Sequence, residues 1–211
     1  METTLDLVEG FVFDSGYISA QFINNERRGS VSYENPLILI TDHKIEQVEE
    51  MLPILEIVAR DGSPLLIVGE EVAGQALAAL IVNVVRGTMK IAAVRAPRYG
   101  EERRNSLKDL ALATGGTFVS RESGLALKDV KLKNLGRAQS VNVTKVTTTI
   151  VGGDGNPKEI EKKIDAIKTE IEQTESVQET EFLAQRITRL ASGVAIIKVG
   201  AATEVEMIEK K

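Results

Sequence analysis

Between Pro36 and Val94, three short apolar runs alternate with two stretches of helical spacing. The runs are Pro36–Ile40 (PLILI), Leu65–Val68 (LLIV) and Met89–Val94. Unbroken Val, Ile and Leu without polar alternation suits strands that are buried on both faces. Strand, helix, strand, helix, strand predicts a parallel sheet with right-handed crossovers. The expected fold is therefore α/β, with mixed sheets flanked by helices. Aromatic residues make up only 4% of the chain and Trp is absent, so Val, Ile, Leu and Ala must build the core.

The second helical stretch, Val72–Met89, is unusual. Ala73, Ala76, Leu77, Leu80, Ile81 and Val84 form one apolar face. Gly74, Ala78, Val82 and Val85 carry the apolar surface further round. Only Gln75, Ala79, Asn83 and Arg86 occupy the remaining sector. A core-facing helix needs an apolar arc of little more than about 100°, and this one covers roughly 240°. Two readings follow. Either the helix is buried on nearly all sides, or part of its arc faces water and awaits a partner.

The preceding stretch places Ile45, Val48, Leu52, Leu55 and Ala59 on one side, with Pro53 inside the pattern. Proline breaks a helix interior but is tolerated in a first turn. Two helices are expected here, capped first by Thr41 or Asp42, with the second over about 51–60 and ending at Gly62. With both crossover helices on one face of the sheet, the outer edges of 51–60 and 72–86 would form an apolar groove containing Leu52, Leu55, Leu77, Ile81 and Val82. Such grooves bind extended or amphipathic segments.

Elsewhere, Phe11–Phe22 alternates around a turn at Asp14–Gly16 and suggests two short strands or a hairpin. Ala96–Arg104 reads as a turn followed by charge, Asn105–Thr114 as a helix and Ser123–Leu127 as a short helix. Ser140–Val146 and Thr147–Val151 read as strands. Pro157 opens a helix with an Ile160, Ile164, Ile167, Ile171 seam, and a second helix after Ser176 should pack against it as a C-terminal antiparallel helix hairpin. Val194–Val199 reads as a last strand.

Several functions are disfavoured by composition. Net charge is −5 with mixed signs, unlike a nucleic-acid binder. There is no Cys and one His, so neither a disulfide nor a Cys/His metal cluster can form. No apolar run approaches the roughly 20 residues of a membrane span, and Met1–Gly10 lacks a secretory apolar core. Phosphate-loop motifs are missing, and Gly152–Gly155 (GGDG) lacks the follow-on residues of a phosphate or calcium loop. His43 lies near a predicted helix start without a triad motif around it.

Leu7–Gly10 (LVEG), Phe13–Ser19 (FDSGYIS), Phe22–Asn24 (FIN), Met51–Glu56 (MLPILE), Pro64–Val68 (PLLIV), Gln75–Thr88 (QALAALIVNVVRGT), Lys90–Pro97 (KIAAVRAP), Gly115–Thr117 (GGT), Thr147–Ile150 (TTTI) and Ala191–Lys211 (ASGVAIIKVGAATEVEMIEKK) resemble, in order, group I chaperonins of the bacterial GroEL type. The resemblance implies an apical-domain, swivelling β/β/α fold over residues 9–194. Residues 1–8 would be an incoming linker and 195–211 the start of a returning intermediate-domain segment. It implies capture of non-native polypeptides, and of a co-chaperonin mobile loop, through Tyr17, Phe22, Leu52, Leu55, Leu77, Ile81, Val82 and Asn83. No cofactor or metal is expected in this chain. ATP and Mg would belong to a longer, ring-forming parent, whose nucleotide-binding domain and catalytic aspartate have no counterpart here. The expected fragment is a non-enzymatic monomer, in the cytoplasm or an organellar matrix, without nucleic-acid or membrane partners. Two departures stand out. Gln21 replaces a usual aromatic, and Ser15 replaces an Arg that would pair with the acid at Glu204.

Two other classes compete. One is a small-ligand or enzyme domain with its site at the carboxyl ends of the strands, near Thr41, Gly69 and Arg95. The other is an oligomerisation module built on the 157–190 helices.

Overall fold

The computed structural model describes residues 10–194. The expected elements at 1–8 and 195–211, the strand beyond Val194 and Glu204 lie outside the described residues.

Among these residues, the chain forms an antiparallel sheet and a mainly parallel sheet, flanked by helices. The antiparallel sheet comprises β1 (Phe11–Phe13), β2 (Val31–Glu34), β8 (Ser140–Val143) and β9 (Thr148–Val151), in the order β1-β9-β8-β2. The second sheet has the order β5 (Ile91–Arg95), β4 (Leu65–Val72), β3 (Leu37–Ile45), β6 (Phe118–Val119), and β7 (Gly136–Arg137) runs antiparallel to β3. β3, β4 and β5 are parallel, as the apolar runs predict. Leu37–Leu39, Leu65–Val68 and Ile91–Val94 are all fully buried.

Helices α1 (Val48–Asp61) and α2 (Gly74–Val85) are the crossovers from β3 to β4 and from β4 to β5. Both connections step the same way across the sheet, so right-handedness puts both helices on one face. They pack side by side. α3 (Gly100–Thr114) returns from β5 to β6 beyond β3, which puts it on the opposite face. There it meets α4 (Pro157–Gln173) and α5 (Val177–Ser192).

Several local readings are corrected by long-range contacts. β3 continues to Ile45, where a helix start was expected. Beyond a bulge, Lys44 and Ile45 still pair with Glu71 and Val72. Asp42 is not a helix cap: its Oδ1 accepts the Arg121 backbone N–H at 2.8 Å. The true cap is a capping box of Gln47 and Glu50. α1 is one helix, not two, and Pro53 lies in its second turn. An interior proline costs about 3 kcal/mol. Met51, Ile54 and Val58, buried on both sides of it, each contribute roughly 1.5–3 kcal/mol and outweigh that cost. Gly62 then ends the helix at φ 77°, a left-handed cap that favours glycine. α2 begins at Gly74 rather than Val72, because Val72 completes β4. α3 begins at Gly100, so Glu101–Arg104 form its first turns instead of a loop. The helix expected over 123–127 is a single 3-10 turn at Leu127–Asp129. β8 stops at Val143, short of Val146.

Phe11–Phe22 is not a hairpin. β1 pairs with the distant β9, and the second half becomes a 3-10 turn at Ala20–Phe22. Between them, residues 16–18 close the open edge of β5: Ile18 N–H donates to Ala93 O at 2.9 Å, and Arg95 N–H donates to Gly16 O at 3.3 Å. Position 16 must be glycine, since a Cβ there would collide with the Thr144 and Lys145 backbone. The other sheet's edge is also guarded. The Asn24 amide makes two 2.9 Å hydrogen bonds with the backbone N–H and C=O of Ser32 on β2.

Two buried polar links hold the layers in register. Tyr33 Oη on β2 donates to Ile91 O on β5 at 3.3 Å and so joins the two sheets. Arg186 on α5 grips Asp109 on α3 through Nε–Oδ2 at 2.6 Å and Nη2–Oδ1 at 3.1 Å, with both side chains almost wholly buried. Burial pushes the Asp109 carboxyl up and Arg186 pulls it back.

Arg186→Met leaves the Asp109 carboxylate buried without its partner and is expected to lose about 3–5 kcal/mol. The double variant Arg186→Met/Asp109→Leu should recover most of that, as measured by denaturant unfolding. Burial also pushes the Tyr33 hydroxyl from 10.0 to about 12. A raised folded-state value means stability that is present below pH 10 and lost between about pH 10 and 12. Relative to Tyr33→Phe, which cannot ionise, the parent chain should lose roughly 2–3 kcal/mol across that window.

Candidate functional site: an apolar helix pair on one face

α2 is twelve residues long, yet only Ala76 and Leu80 are buried. The reading of a helix enclosed on nearly all sides is therefore wrong for this chain. Val82 is 44% exposed and Val85 66%; on α1, Leu52 is 49% exposed. Leu55, Leu77, Ile81 and Val84 are half-buried against the core. The cause is topological: α2 crosses from β4 to β5, the edge strand of its sheet, so only one narrow stripe meets the strands.

The apolar surface of α2 is divided between two flanks. Both crossover helices run antiparallel to the strands, and residues advance about 100° around each. With Met51, Ile54 and Val58 turned to the sheet, Leu55 and Leu52 lie on the flank of α1 that faces α2. Ile57 lies on the other flank, where the 3-10 turn at Leu127–Asp129 packs. With Ala76 and Leu80 turned to the sheet, Val82, Ala79 and Asn83 lie on the flank of α2 that faces α1. Leu77, Ile81 and Val84 lie on the far flank, toward the 3-10 turn at Ala20–Phe22.

The sequence-predicted residues thus separate. Leu52, Leu55, Val82 and Asn83 share the groove between α1 and α2. Leu77 and Ile81 belong to a second apolar strip between α2 and residues 17–22, not to the groove in which the sequence placed them. Tyr17 is half-buried beside that strip, with its Oη donating to Gly29 O at 3.3 Å. Phe22 is fully buried and supports the strip from beneath without reaching its surface. Gln21 is exposed, so a polar side chain stands at the rim of this strip.

Asn83 ends α2. Its Nδ2 donates to Ala79 O at 2.8 Å, and its Oδ1 accepts from Thr88 Oγ1 at 2.9 Å. The Asn83 carbonyl also receives the backbone N–H groups of Thr88 and Met89. One amide hydrogen remains for a ligand. Beyond this point the groove deepens into a cavity of about 300 Å³ between the C-terminal ends of both helices, lined by Val58, Ala59, Gly62, Thr88, Met89 and Lys90. Periodicity could not find this cavity, because the loop residues that close it carry no pattern.

At the carboxyl ends of the strands, the place for a small-ligand site, several charges are paired with one another. Arg121 lies 3.8 Å from Asp42 and 3.5 Å from Glu70, and Arg103 lies 3.7 Å from Glu70. Thr41 is buried and donates to Val119 O at 2.8 Å, while His43 Nε2 lies 3.0 Å from Leu125 O. Among the described residues, no group of three or more His, Asp or Glu could hold a metal. None of the helices there is long and apolar enough to cross a membrane. The seam of α4 and α5 is spent internally, with Ile160, Ile167, Leu183 and Leu190 buried. No protein-family model matches the chain.

Asn83→Ala removes both side-chain links at the end of α2 and should lower unfolding free energy by about 1 kcal/mol, read from the denaturant midpoint.

Proposed function

We propose that this chain is a polypeptide-capture domain, the apical domain of a group I chaperonin type. The observation that carries the proposal is the exposed apolar surface of α2 together with Leu52 and Leu55. A folded chain gains nothing from leaving these side chains in water, whereas a capture surface requires it. The resemblance noted in the sequence falls on these same residues.

The mechanism is passive. A non-native segment lays its apolar side chains against Val82, Leu52 and Leu55, with Leu77, Ile81 and Tyr17 extending the contact around α2. Burying about 400 Å² at about 25 cal/mol per Å² gives roughly 10 kcal/mol before costs. Association costs at least about 4 kcal/mol, which leaves binding in the micromolar-to-millimolar range. Affinity of that order, without directional polar contacts, suits many clients. A co-chaperonin loop would compete for the same surface and displace them. In a ring-forming parent, ATP-driven rotation supplied by other domains would release the client. The chain's own role is binding, not catalysis.

The test is anisotropy of a labelled, denatured client. Val82→Glu and Leu52→Glu place charge on side chains that already face water, so each should fold normally and lower affinity at least tenfold. Ile81→Glu, half-buried, should weaken capture and also cost some stability. Unchanged client binding by folded Val82→Glu and Leu52→Glu variants would refute the reading.

A further inference from the structure

The groove between α1 and α2 leads into the cavity of about 300 Å³ at the C-terminal ends of the two helices. Leu52, Leu55 and Ala59 recur at three and four residues along one flank of α1, and Ala59 belongs to the cavity wall. On α2, Asn83 follows Val82, and the wall residue Thr88 donates its Oγ1 to Asn83 Oδ1 at 2.9 Å. Backbone hydrogen bonds fix the walls. Gly62 N–H donates to Val58 O at 2.9 Å, Thr88 N–H to Asn83 O at 3.0 Å and Leu65 N–H to Lys90 O at 2.9 Å. The cavity is therefore formed before any ligand arrives, as binding pockets usually are. A Cβ added at Gly62 or Gly87 would meet nothing within 4 Å, so open space borders the cavity at both turns. A cavity of about 150 Å³ is enough to hold benzene, and this one has room for a ring and the methylene that carries it. Val58, Ala59, Pro64 and Met89 give it an apolar side. Two wall residues favour a ring over an aliphatic chain: the Met89 sulfur makes favourable contacts with ring edges, and the Lys90 ammonium is attracted to a ring face.

We propose that this cavity is the anchor point of the capture surface and takes one aromatic side chain, the ring of a Phe or Tyr, from the bound client. Ala59 lies about 10 Å beyond Leu52 along the helix axis, the span of about three residues of extended chain. The preferred segment thus lays an apolar residue on Leu52 and Val82 and carries its aromatic residue about three or four positions away. The inference rests on the capture reading above and adds a side-chain preference to it.

Four end-capped peptides that differ only at the anchor position, Phe, Leu, Ala or Glu, test it on the whole chain. The Phe peptide should bind roughly tenfold more tightly than the Ala peptide. It should bind about threefold more tightly than the Leu peptide, the margin of a sulfur–ring contact. Its titration should shift the methyl NMR signal of Met89 and leave that of Met51, fully buried beneath α1, in place. Ala59→Trp changes an exposed helix position and fills the cavity from its own wall, so circular dichroism should be unchanged while the four peptides bind alike. Equal affinity of the Phe, Leu and Ala peptides, tightest binding of the Glu peptide, an unmoved Met89 signal, or a Phe preference that survives in folded Ala59→Trp would overturn the anchor and leave capture standing. If none of the peptides binds the unmodified chain, the capture reading falls and takes this inference with it.

Discussion

The parallel ladder of β3, β4 and β5 is the constraint on which everything else depends. Its right-handed crossovers force α1 and α2 onto one face, side by side and pointing the same way. Because β5 is the edge strand, α2 has strands beneath it but no third helix beyond it. The chain fills that space with an irregular segment, residues 16–22, which hydrogen-bonds to the edge of β5 and reaches only part of the helix. An apolar helix placed over the middle of a larger sheet would disappear into the core. Placed over an edge, it keeps two flanks near the surface.

The ladder itself was legible, because continuous β-branched runs and helical spacing are local signals of a global pairing. The apolar excess of α2 was legible for the same reason. The failures share one cause. Asp42 looks like a helix cap, but the Arg121 backbone claims its carboxylate from 79 residues away. Pro53 looks like a break, but burial on both sides of it carries the helix through. Phe22 looks like a surface aromatic, but it lies beneath α2. In each case a contact distant in sequence outweighed a local preference of comparable size. The division of Leu77 and Ile81 from Val82 needed the handedness of the crossovers, which no window of sequence contains.

The same architecture keeps the exposed face from undermining the fold. The principal polar locks lie elsewhere. The Asp109–Arg186 pair ties α3 to α5 on the opposite face of the parallel sheet, and Tyr33 ties the two sheets together. α2 is held from its ends instead: Ala76 N–H bonds the Glu46 carbonyl at its start, and Asn83 and Thr88 close its finish. A helix anchored at both termini does not depend on its outer side chains for its position. Those side chains are then free to be chosen for contact with something else.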